Sequence, residues 1–112
     1  MSIGTWNPDE PHPTTLAVAG GTLAIPLSAS VVLKTTGGAE NLTLDDGEQG
    51  QRLMIQLVVD GGDGTLTPAT ATGWATIVFE DVGDTAILEW DDVLGWLILS
   101  LFGLAAPPAF TV

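Results

Sequence analysis

Few residues in this chain are equipped for chemistry, and their spacing does not assemble a catalytic centre. His12 is the single histidine and stands between Pro11 and Pro13, with no second imidazole or thiolate to share a metal. A Ser–His–Asp set would have to draw on Ser28, Ser30 or Ser100, and no nucleophile-elbow motif surrounds any of them. Carboxylates are abundant, 14 against two bases. Asp45-Asp46, Glu80-Asp81 and Asp91-Asp92 are adjacent pairs at the ends of expected strands, where neighbours point to opposite faces and so do not form dyads. A glycosidase places its two carboxyls ~5–9.5 Å apart across a cleft, and a β domain of 112 residues has little room for one. Gly61-Gly62-Asp63-Gly64 begins like a calcium-binding β-roll repeat, but Leu66 stands where the motif needs Asp, and the motif occurs once. Neither a following helix nor a Gly-Lys-Thr ending makes it a phosphate loop, so it reads as a hairpin turn. With no cysteine, disulfides, thiolate catalysis, Fe–S clusters and cysteine zinc sites are excluded. No catalytic residue, cofactor or metal site is expected.

Charge narrows the partners. The formal net charge is −12, and Lys34 and Arg52 are the only bases. Nucleic-acid binding needs clustered Lys and Arg, and an anionic membrane surface would repel the protein. Hydrophobic residues make up 46% and charged ones 14%, a balance that excludes intrinsic disorder of the whole chain. The length fits one domain.

Residues 1–13 carry Pro8, Pro11 and Pro13 and read as an extended arm, without the basic start and apolar core of a signal peptide. Such an arm is either unstructured or anchored on a neighbouring subunit through Trp6. Residues 14–112 read as a single β domain. Strands are expected near 14–19, 22–27, 29–36, 40–45, 51–59, 64–67, 74–80, 84–90, 95–102 and 109–112. Alternation puts Leu53, Ile55, Leu57 and Val59 on one face, and Leu42 with Leu44 opposite Thr43. Asp45-Asp46-Gly47, Asp60-Gly61-Gly62-Asp63-Gly64 and Asp81-Val82-Gly83-Asp84 supply turn chemistry between them. The fold class is therefore all-β, a β-sandwich or jelly-roll-like domain of about eight to nine short strands. No internal repeat is clear enough to indicate a solenoid.

Residues 93–112 hold no charged side chain. Gly95, Gly103 and Pro107-Pro108 interrupt the run, and acidic residues precede it, so a central strand is preferred over a membrane anchor. Along that strand Leu97, Leu99 and Leu101 alternate with Trp96, Ile98, Ser100 and Phe102. A sandwich covers one face only, so the leucine row is expected to seal an oligomer, with a trimer as first expectation. The four tryptophans, Trp6, Trp74, Trp90 and Trp96, are alternatively stacking platforms for carbohydrate, although tryptophan within a strand is more often core.

The stretch GAENLTLDDGEQGQ from Gly38, running into RLMIQLVVDGGDGTLTPATATGWATIVFEDVGDTAILEWDDVLGWLIL, resembles small virion structural proteins of tailed bacteriophages, including phages of cyanobacteria. The likeness covers roughly residues 37–100 and rests on a GGDGTLTP-like hairpin, a TIVFEDVGD-like turn and a tryptophan-containing final strand. It implies a capsid decoration, or cement, protein located on the phage head surface. Its partners would be the major capsid protein and further copies of itself, commonly in a trimer. A tail, baseplate or fibre component is the alternative within that family of particles, and a carbohydrate-binding module the alternative outside it. Because no metal is expected to hold the fold, a chelator should leave the thermal midpoint within a few degrees, as scanning calorimetry would read.

Overall fold

The computed structural model describes residues 15–19 and 24–112. Nine strands follow in order: β1 (Thr15–Val18), β2 (Val31–Thr36), β3 (Glu40–Leu44), β4 (Arg52–Asp60), β5 (Gly64–Pro68), β6 (Thr76–Phe79), β7 (Thr85–Asp91), β8 (Gly95–Phe102) and β9 (Ala109–Thr111). They build two packed sheets, ordered β1-β2-β4-β7-β8 and β3-β5-β6-β9. The all-β sandwich expected from the alternation is present. The first half pairs in parallel, β1 with β2, β2 with β4 and β3 with β5. A jelly roll would pair its strands antiparallel throughout. The strand expected near 22–27 is reduced to a single bridge from Ala24 to Thr43, and residues 20–23 lie outside the described residues. The expected arm at 1–13, with Trp6 and His12, lies outside them as well.

The core forms where the two alternating faces meet. Leu53, Ile55, Leu57, Ala86, Leu88, Trp90 and Trp96 of the first sheet pack against Leu42, Leu44, Leu66, Ile77 and Phe79 of the second. Each fully buried aliphatic or phenyl side chain contributes roughly 1.5–3 kcal/mol of transfer free energy. Val59 departs from the expected face and is 52% exposed. Lys34 pairs with Leu57 but Thr35 pairs with Val59, so Val58 is the extra residue of a β-bulge and the alternation inverts beyond it.

The parallel pairing comes from stacked arches, which corrects two expectations. Gly61-Gly62-Asp63 does not close a hairpin. It carries the chain from β4 in one sheet to β5 in the other. Gly37-Gly38-Ala39 does the same between β2 and β3, and the two arches lie in register, Thr36 opposite Asp60 and Glu40 opposite Gly64. Here glycine is required by close approach: a Cβ on Gly61 would land on the Thr36 carbonyl oxygen, and one on Gly62 on the Gly38 carbonyl carbon. Thr36 Oγ1 ties the layers, accepting from Gly61 N–H at 3.0 Å and donating to the Gly62 carbonyl at 2.7 Å. The chain thus has an internal repeat, a strand–Gly-Gly–strand coil whose successive turns stack in parallel, hidden in sequence because only the glycine pairs recur.

Lys34 is the unexpected member of the core. Val32, Lys34 and Thr36 point inward while Val31, Leu33 and Thr35 lie on the outer face, so β2 buries its lysine and leaves its leucine half-exposed. The ammonium donates to the Ala19 carbonyl at 3.0 Å, the Thr35 carbonyl at 2.9 Å and Glu40 Oε1 at 2.7 Å. All three N–H groups are satisfied. The side chains of the pair are 1% and 8% exposed, and the other Glu40 oxygen accepts from Gly37 N–H at 2.8 Å. Removing one partner of a buried pair strands the other charge, at a cost of about 3–5 kcal/mol. Lys34→Met is therefore expected to lower unfolding stability by that amount in urea titration, and the double variant Lys34→Met, Glu40→Leu to recover most of it.

Candidate functional site

The surface least explained by folding is one lateral edge of the sandwich, where β8 ends the first sheet and β9 ends the second. The β7–β8 hairpin that builds it is set by its turn. Asp91 Oδ1 accepts the backbone N–H of Val93 at 2.8 Å and of Leu94 at 3.0 Å, an Asx-type turn. Those two N–H groups, Val93 first, hold the Asp91 carboxyl below its ordinary value. Gly95 follows with φ of 81°, left-handed backbone that a side chain resists, and a Cβ there would also stand 2.6 Å from the Thr70 carbonyl oxygen. Beyond the turn, Trp90 and Trp96 face each other edge-on with ring centroids 5.5 Å apart. Their indole N–H groups donate to Asp92 Oδ1 and to the Asp45 carbonyl, and that of Trp74 to the Trp96 carbonyl.

The structure separates the leucines that sequence alternation groups together. β8 is an edge strand rather than a central one. Leu88 pairs with Ile98 and Ile87 with Ser100, so Leu99 is the extra residue of a bulge and the faces exchange there. Leu97 sits on the outer face opposite Glu89, Leu99 is exposed at the bulge, and Leu101 lies opposite Ala86 and packs against the core. No single leucine row exists. Trp6 lies outside the described residues.

A different apolar set falls in this last part of the chain. Among the described residues, ten large hydrophobics are exposed, and seven of them, Val93, Leu94, Leu99, Phe102, Leu104, Phe110 and Val112, fall in the charge-free residues 93–112. The lack of charge was legible in sequence; which side chains it would leave outside depended on the bulge and on β9. Residues 70–72 cover the start of the β8 edge, Trp96 N–H donating to the Thr70 carbonyl at 3.0 Å beside an Ala71 bridge. Past Ile98, no described strand pairs with the outer side of β8, nor with that of β9. Between the two sheets at this edge opens a groove of about 340 Å³, lined by Thr72, Gly73, Trp74, Leu97, Ile98 and Phe110.

Other places in the molecule offer less. A cleft of about 280 Å³ near Asp46 and Glu48 contains Gln51, whose amide already bonds the Leu27 carbonyl and Glu48 N–H. Asp84 is buried; its Oδ2 accepts from Glu80 and Asp81 N–H, while Oδ1 stands 2.6 Å from where a Gly103 Cβ would be. Oδ1 has no hydrogen-bond partner among the described residues. Among the described residues, no group of three or more His, Cys, Asp or Glu side chains could hold a metal ion, and no helix is long and apolar enough to cross a membrane. Trp74, Trp90 and Trp96 are all buried, so none of the three presents a face on which a sugar could stack. Comparison with protein-family models, curated proteins and solved structures finds no match.

Two outcomes are expected at the hairpin. Gly95→Ala combines backbone strain with a backbone clash and should cost about 1–3 kcal/mol, read as a lowered urea midpoint. Because the folded-state Asp91 carboxyl titrates below its unfolded value, its contribution is complete above the ordinary carboxylate range and is lost as pH falls through the folded value. The difference in melting temperature between the wild type and Asp91→Asn should therefore be constant near neutrality and close in acid, below about pH 4.

Proposed function

We propose that this protein is a structural component of a phage particle, a capsid decoration protein that binds the outside of the head and stabilises contacts between capsomers. The observation that carries the reading is the charge-free edge formed by residues 93–112, which concentrates exposed apolar side chains on an otherwise acidic sandwich. Surfaces of that kind serve association, since scattered apolar exposure would not collect in one uncharged segment. The resemblance of residues 37–100 to small phage virion proteins supports the same reading. The strings that carry it occupy the Gly61-Gly62 arch, the turn leading into β7 and the β7–β8 hairpin, which are parts that build the scaffold.

The mechanism under this reading is mechanical. A rigid two-sheet module contacts the major capsid protein, and several copies bridging neighbouring capsomers add their modest affinities through multivalency. The acidic remainder faces solvent and keeps particles from clumping by mutual repulsion. Electron cryomicroscopy of particles carrying the protein tests this. Density on the capsomer surface, with heads that release their genome at lower temperature when the protein is missing, is the expected result. Density on the tail, baseplate or fibres, or absence from the particle, overturns it.

A further inference from the structure

We propose that the β8–β9 edge is a self-association surface, and that its occupant is a second copy of this chain joined edge to edge. The first argument is electrostatic. Each copy carries a formal charge of −12, so close approach of two copies is opposed wherever carboxylates would be brought together. Residues 93–112 carry no charged side chain, and they supply both strands of this edge, β8 and β9. A basic partner would instead be drawn to the acidic surfaces, whereas an uncharged apolar edge complements another uncharged apolar edge, and the molecule itself supplies one.

The second argument is the state of the strand. Natural edge strands are commonly blunted by lysine, proline, an inward charge or a bulge. Ile98-Leu99-Ser100-Leu101-Phe102 has the bulge at Leu99 but no lysine, proline or charge. Residues 70–72 cover only the Trp96 end of it. A strand added by a second copy would extend the β1-β2-β4-β7-β8 sheet, and Leu99 and Phe102, 45% and 56% exposed, would be covered with it. The groove beside Trp74 and Phe110 is apolar and open, and is able to receive a side chain of the incoming copy.

This inference stands apart from the proposed place in a virion, because self-association is measured on the purified full chain and particle location on the particle. Sedimentation of the wild type at micromolar concentration should show an oligomer that tightens as salt is raised, since salt screens the repulsion between acidic copies and leaves apolar contacts in place. Leu99→Glu and Phe102→Glu should each weaken association about tenfold or more, with the circular dichroism of the wild type retained. Val59→Glu, at an exposed position on a different strand, should assemble as the wild type does. Amide exchange at residues 98–102 should be slow in the oligomer and fast in the Glu variants. A folded wild-type monomer in high salt, glutamate variants that still assemble, or equal disruption by Val59→Glu overturns the proposal.

Discussion

The Lys34 ammonium is buried between the sheets with each of its N–H groups bonded, and the arrangement of the arches follows from meeting that requirement. An unpaired charge in this position would be prohibitive, so the chain must bring three acceptors to one point. Two are carbonyl oxygens, from Ala19 just past β1 and from Thr35 on β2. The third is Glu40, the first residue of β3, whose other oxygen takes Gly37 N–H and so fixes the bend that delivers it. Satisfying one cation therefore sets where β1 ends, how tightly β2 turns into β3, and which sheet β3 enters.

Once that arch is fixed, the next one stacks on it. Thr36 Oγ1 bonds into the Gly61-Gly62 backbone, and neither glycine has space for a Cβ beneath the first arch. Parallel pairing of β2 with β4 and β3 with β5 is the consequence, and the antiparallel strands β6 to β9 close the other side of the same core. The molecule is polarised by this plan. One lateral side consists of coils held by backbone and buried charge, and the opposite side is the uncharged edge of β8 and β9.

The edge also shows how a bulge reassigns surface. With one extra residue at Leu99, Leu101 turns toward the core while Leu97 stays on the outer face, so Leu99 and Phe102 are exposed along β8, Phe110 on β9, and no leucine row forms. Bulges of this kind strengthen local twist and re-aim side chains at sheet margins. The Trp90–Trp96 pair, the Asx turn at Asp91 and the positive-φ Gly95 anchor the near end of the strand. Its far end pairs with β7 on one side only, and no described strand lies along the other.

Most strand positions, the all-β class and the placing of turns were legible in the sequence, because alternation of apolar residues and the backbone demands of Gly and Asp are local properties; the strand expected near 22–27 is the exception, reduced to the Ala24–Thr43 bridge. Leu42, Leu44, Leu53, Ile55 and Leu57 fell on the buried faces for that reason. The absence of charge after Asp92 was equally plain. What each turn does was decided in three dimensions: a Gly-Gly-Asp turn serves a hairpin or a sheet-to-sheet arch, and only the packing of one arch against another selects between them. The inward lysine and the two bulges belong to the same category. A lysine is placed in a core only when acceptors from neighbouring elements fold onto it, here Ala19 past β1 and Glu40 of β3 beside the adjacent Thr35 carbonyl, and a bulge shifts the register against a partner strand that the local sequence does not contain.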